Sequence, residues 1–80
     1  MLTGKDSRSV ERWLRRDLGA TFKRRARHGA VYARTCPLCG RGLRIVVPEN
    51  RERIFDDTLD SICRQAHVTL RGVPDCPFQR

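Results

Sequence analysis

Residues 30–47 read AVYARTCPLCGRGLRIVV. Two short runs rich in β-branched and aromatic residues, Ala30 to Thr35 and Leu43 to Val47, flank the stretch CPLCGRG. This pattern predicts a β-hairpin carrying a cysteine pair at its tip. Pro37 and Gly40 suit the tight turn that aims Cys36 and Cys39 at a common point, because glycine adopts the positive φ that such a turn requires. Downstream, Pro48, Glu49 and Asn50 break the second strand, with Asn50 placed as a helix N-cap. Phe55, Leu59, Ile62, Cys63, Ala66 and Leu70 then keep helical register as far as Gly72. The spacing predicts a helix over residues 51–71, closed by a C′ glycine and Val73-Pro74.

The cysteines carry the chemistry. Cys63 and His67 stand four residues apart, one turn above the other on the expected helix, with Cys63 in the apolar face and His67 at its edge. Four N or S donors arranged tetrahedrally are what a structural Zn²⁺ takes. The favoured ligand set is therefore Cys36, Cys39, Cys63 and His67, with Asp60 as a partner for the second imidazole nitrogen. Cys76, in its own Cys-Pro context, is the alternative to His67, and His28 is a weaker competitor. The i, i+4 pair is preferred because it requires no additional loop closure. A redox CxxC pair is disfavoured, since no βαβ pattern surrounds it. A chain of 80 residues buries a modest core and commonly needs such a staple.

A two-cysteine hairpin followed by a helix bearing the last ligands resembles the ββα zinc finger in its CCCH or CCHC variants, over about Ala30 to Leu70. The interval from Cys39 to Cys63 is longer than in the standard finger, and the first helical ligand is Cys instead of His. The CPLC start and the long interval are also similar to small zinc-containing late-gene transcription activators of tailed phages. The resemblance implies a zinc-stabilised unit without implying the three-base readout of the standard finger.

Upstream, Val10, Trp13, Leu14, Leu18 and Phe22 recur at helical spacing from Ser9 to about Arg25, with Asp6, Ser7 and Ser9 as N-cap candidates. Arg8, Arg12, Arg15, Arg16, Lys23 and Arg27 fall on the opposite side of this expected helix. Gly19 either ends a first helix, making a short helix-turn-helix pair with Ala20 to Arg27, or sits within one continuous helix; a break is favoured. The expected fold class is a small α+β zinc-binding domain: an N-terminal basic helix or helix-turn-helix, a hairpin with a zinc knuckle, and a long C-terminal helix. One domain covers residues 1–80, with 1–29 a basic arm, 30–72 the zinc-stabilised unit and 73–80 a partly ordered tail.

The net charge is +8, with 15 arginines among the 17 Lys/Arg. Residues 1–47 hold twelve Lys/Arg against three Asp/Glu, and residues 48–80 hold five against six. Such asymmetry points to a polyanionic partner. The expected function is a zinc-stabilised nucleic-acid-binding protein, DNA or RNA, acting as a small transcriptional or other regulatory factor. Arg8, Arg12, Arg15, Arg16, Lys23, Arg24, Arg25 and Arg27 are its phosphate-binding candidates. The alternative is a phage- or plasmid-encoded interaction module or inhibitor whose basic face docks an acidic surface of a polymerase or nuclease. Only Tyr32 is placed to stack on a base, and cross-strand packing is its preferred role, so a single-strand stacking platform is not expected. The sequence shows no Ser/His/Asp grouping, glycine-rich phosphate loop or paired carboxylates in a cleft, so no enzyme is expected. MLTGKDS carries no apolar signal core and no stretch is long enough to span a membrane, which leads to an expected cytosolic or nuclear location.

Overall fold

Asp6 has extended backbone and its Oδ2 accepts a hydrogen bond from the Ser9 amide at 3.2 Å, capping the first helix, α1 (Ser7–Arg16). Val10, Trp13 and Leu14 are buried on one side of α1, while Arg8, Arg12, Arg15 and Arg16 are exposed. The structure, a computed structural model, describes residue 2 and residues 4–78. The helix stops at Asp17, the chain turns through Gly19, and the Ala20 amide returns to the Leu14 carbonyl at 2.9 Å. The break favoured from the sequence is present. The next element is a strand, β1 (Thr21–Ala26), and not the expected second helix.

β1 pairs with β2 (Gly29–Thr35), which pairs with β3 (Gly42–Val47), giving a three-stranded antiparallel sheet in the order β1-β2-β3. The expected hairpin is β2 and β3, in register from Ala30↔Val47 to Thr35↔Gly42. Ala30, Tyr32, Ile45 and Val47 lie on one face of this pair and join Val10, Trp13 and Leu14 of α1 in a single core. Leu59, Ile62, Cys63 and Ala66 of the second helix, α2 (Asp56–Ala66), complete it. Each large apolar side chain removed from water in this way contributes about 1.5–3 kcal/mol. α2 also covers the outer edge of β3, where Gln65 Oε1 accepts from the Val46 amide at 2.9 Å. The opposite edge, β1, is open to solvent and carries exposed Lys23, Arg24 and Arg25, cations that discourage edge-to-edge pairing.

α2 is shorter than the 51–71 expected. Asn50 takes a left-handed conformation (φ 57°) and is not the N-cap. Residues 51–54 instead hydrogen-bond the start of α1: Ser7 Oγ donates to the Pro48 carbonyl at 2.6 Å and accepts from the Arg51 amide at 3.0 Å, and the Ile54 amide donates to the Lys5 carbonyl. These bonds occupy backbone groups that a helix would need. They also bury Ile54 and leave Phe55 exposed. Asp56 and Asp57 then occupy the first turn of α2, where carboxylates suit the helix dipole. At the other end the helix stops at Ala66 because His67 has a left-handed backbone (φ 56°). Gly72 (φ 81°) belongs to a separate turn beyond it, closed by the Gly72 amide to the Thr69 carbonyl at 2.9 Å. Among the described residues no helix is long and apolar enough to cross a membrane.

Gly29 opens β2 with φ 140°, and a Cβ there would collide with the carbonyl oxygen of Val47, a backbone atom held in the sheet. Gly29→Ala therefore meets both an unfavourable backbone conformation and an immovable neighbour. The expected loss is at least about 3 kcal/mol. At roughly 4–8 °C per kcal/mol for a domain of this size, the thermal midpoint should fall by about 12 °C or more. A melt within about 2 °C of the parent would refute the geometry of this turn.

Candidate metal centre

The β2–β3 connection is a knuckle. The Gly40 amide donates to the Cys36 carbonyl, the Cys36 amide donates to the Arg41 carbonyl, both at 2.9 Å, and the Cys39 amide points at Cys36 Sγ from 3.5 Å. Gly40 has φ 76°, the positive value that CPLCG implied. Both thiols of the pair thus face the same side of the hairpin tip, as the sequence indicated.

Two further donors meet them. The left-handed backbone of His67 turns its ring off the end of α2, placing Nδ1 3.2 Å from Cys36 Sγ. The chain then reverses at Thr69–Gly72, pairs Val68 with Pro74 and returns the Asp75 amide to the His67 carbonyl at 2.8 Å. This brings Cys76 to the group. One donor atom from each of Cys36, Cys39, His67 and Cys76 lies within 4.8 Å of the others. A tetrahedral ion with metal–sulfur bonds of about 2.3 Å separates its sulfurs by about 3.8 Å, so the four donors are spaced to hold a metal ion.

Cys63, expected as the third ligand, is not in this group. It is buried among the residues of the core, and that burial, with the nearby Asp60 charge, pushes its thiol up to about 11. The i, i+4 reasoning required the helix to continue through His67. Because it ends one residue earlier, His67 leaves the stripe that Cys63 occupies. The group that could hold a metal is therefore Cys36, Cys39, His67 and Cys76, with Cys76 present where Cys63 was expected and His67 retained. The sequence signal for this was the second Cys-Pro step, Cys76-Pro77, following a Gly-Val-Pro reversal. His28 is exposed in the β1–β2 turn, away from the group. Nor is the tail loose at Phe78: its ring lies 5.9 Å from that of His67, and the Arg41 guanidinium stacks over it at 4.2 Å.

The surroundings favour a thiolate at Cys36, while burial pushes the Cys76 thiol up. Burial by itself would raise the Cys36 thiol, but hydrogen bonds from the Cys39 amide, the His67 ring, the Leu38 amide and the Cys39 thiol lower it to about 6. Three thiolates around a dication leave one net negative charge. On β2, Arg34 has buried Nε and Nη1 atoms with no hydrogen-bond partner. Burial lowers its affinity for a proton, and the charge at Cys36 acts in the opposite sense. A partly buried cation with spare donors that feels the charge at Cys36 fits an anionic metal–thiolate group better than it fits neutral thiols.

The eight arginine and lysine candidates for phosphate binding are all exposed, but they do not share one helix face. Arg8, Arg12, Arg15 and Arg16 are on α1, Lys23, Arg24 and Arg25 on β1, and Arg27 in the turn after it. The hairpin-helix unit resembles the ββα finger as far as the knuckle and the following helix. It differs in having a third strand and in drawing its last two donors from the end of α2 and from beyond it. Compared with known protein families, curated proteins and solved structures, the chain finds no match.

Proposed function

We propose that this chain is a zinc-stabilised nucleic-acid-binding protein of regulatory type, in which the Cys36/Cys39/His67/Cys76 centre holds the fold and the basic surface of α1 and β1 contacts phosphate. Zinc is the ion proposed because three thiolates and one imidazole in a closed tetrahedron are its characteristic structural donor set. With all four positions filled by protein, no site is left for a metal-bound water, and the centre is read as structural and not catalytic. The His67 Nδ1 would be the ligating atom, with the ring proton on Nε2.

The observation that carries the nucleic-acid reading is the exposed cationic surface at the α1–β1 end of the molecule. Arg8, Arg12, Arg15 and Arg16 have no ion-pair partner among the described residues, whereas Arg25 is bonded to Glu49 at 2.8 Å. Unneutralised arginines close together repel one another, and a phosphate backbone relieves that repulsion while releasing its counterions. Simultaneous replacement of Arg12, Arg15 and Arg16 by Ala should therefore weaken nucleic-acid binding and reduce the slope of log affinity against log salt by about 2–3. None of the three is in the core, so the melting profile should be retained. Absence of binding to duplex, single-stranded DNA and RNA alike at low salt would discard this reading in favour of docking to an acidic protein surface.

A further inference from the structure

β1 contains a bulge that changes what its side chains can do. Phe22 pairs with Tyr32 and Arg24 with Val31, so Lys23 is the extra residue between them. Without it, Phe22 and Arg25 would point to opposite faces of the sheet. With it, Phe22, paired with Tyr32, and Arg25, paired with Ala30, share the face that looks towards α1. Across from them stand Arg8, Arg12 and Arg15, at i, i+4 and i+7 on one stripe of the helix. Together these residues line an open groove of about 430 Å³ whose floor is Tyr32.

The aromatic groups in the groove have different duties. Tyr32 is buried and its hydroxyl donates to Glu11 Oε1 at 2.7 Å, which occupies the groove's one carboxylate and raises the phenol's pKa through burial and that bond. Phe22 meets Tyr32 edge to face, with ring centroids 5.6 Å apart, yet remains 43% exposed. It is thus held at a fixed angle by a buried ring and keeps open surface beneath three arginines. A half-exposed phenylalanine next to unpaired cations has little reason to be there for packing. Beyond Arg8 and Arg25, the adjoining cleft is lined by Asp6, Glu49 and Glu52, carboxylates that would repel a phosphate chain and mark where a bound strand must leave.

The geometry points to a binding site for single-stranded nucleic acid in the α1–β1 groove, with a base stacked on Phe22 and the flanking phosphates held by Arg8, Arg12 and Arg15. It rests on the nucleic-acid reading above and narrows it to unpaired strands. A duplex offers only base edges, whereas a ring lying inside a groove needs an unstacked base, and base–aromatic stacking supplies affinity without requiring a sequence. DNA and RNA strands share this chemistry.

The test uses the metal-loaded full chain and short single-stranded DNA and RNA oligonucleotides carrying 2-aminopurine, with the matching duplex as control. At least one of the single strands should bind more tightly than the duplex, and 2-aminopurine fluorescence should change on binding as the base leaves its neighbours for the Phe22 ring. Phe22→Leu should weaken single-strand binding by about tenfold and abolish the fluorescence change, while the salt slope stays unchanged because no charge is lost. Phe22→Trp should restore both, which separates loss of stacking from loss of fold. Duplex preference, or Phe22→Leu binding that equals the parent while the triple arginine variant fails, would overturn the groove and leave the broader reading standing. No binding to any of the nucleic acids would overturn both.

Discussion

Stripping the metal from the folded protein is expected to unfold it. A single core in a chain of this length supplies a net of only about 3–5 kcal/mol, whereas a structural zinc site contributes on the order of 10 kcal/mol of folding free energy. The centre also joins three separate segments. The knuckle reaches it from the β2–β3 tip, His67 from the end of α2, and Cys76 from the returning tail. Without an ion, three cysteines and a histidine crowd within 4.8 Å with nothing to neutralise the Cys36 thiolate that the knuckle amides favour. Far-ultraviolet circular dichroism during chelator titration should show cooperative loss of structure, reversed on adding zinc. Elemental analysis should give one ion per chain; well-folded protein that contains none would remove the centre altogether.

Cys76→Ser is expected to cripple metal binding, and Cys63→Ala to leave it intact. Changes to residues that merely support a ligand cost about 10–100-fold in metal affinity, so loss of a direct thiolate should cost more than about a hundredfold. Cys63 instead behaves as a small apolar side chain wedged between α2 and the sheet, where removal of its sulfur should cost on the order of 1 kcal/mol with one ion still bound. Competition with a chromophoric chelator measures both variants directly. The opposite ranking would place Cys63 in the ligand set instead of Cys76.

These two cysteines show how far the sequence reached. The β2–β3 hairpin, the knuckle and the break at Gly19 were legible because each depends on residues within a few positions of one another: β-branched runs, a CPLCG turn and a glycine after a helical stripe. The involvement of His67 was also legible. A gathering of thiols and an imidazole that could hold a metal was foreseen as a class, since closely spaced thiols in so small a chain have few other uses.

Three features depended on backbone pairing that composition does not show and were not legible. TFKRRA at 21–26 has no inward–outward alternation, since five of its six residues are exposed, and its Phe22 happened to extend the helical spacing of Trp13, Leu14 and Leu18. Pairing with β2 makes it a strand, and the bulge at Lys23 then places Phe22 and Arg25 on one side. Residues 51–54 have helix-compatible composition but give their backbone hydrogen bonds to the first turn of α1. Whether Cys63 or Cys76 joins Cys36, Cys39 and His67 turned on a single backbone conformation, that of His67, stabilised by the tail folding back on it. Closing that loop costs little, because the entropy of closure grows only with the logarithm of its length, and once closed the donor at its end is as well placed as one on the helix. Sequence alone determined that cysteines and a histidine should gather around a hairpin tip beside an arginine-rich segment. Tertiary structure decided which cysteine completes the group, through the turn that folds the tail back onto His67, and which residues line the groove beside α1, through the pairing and bulge of β1.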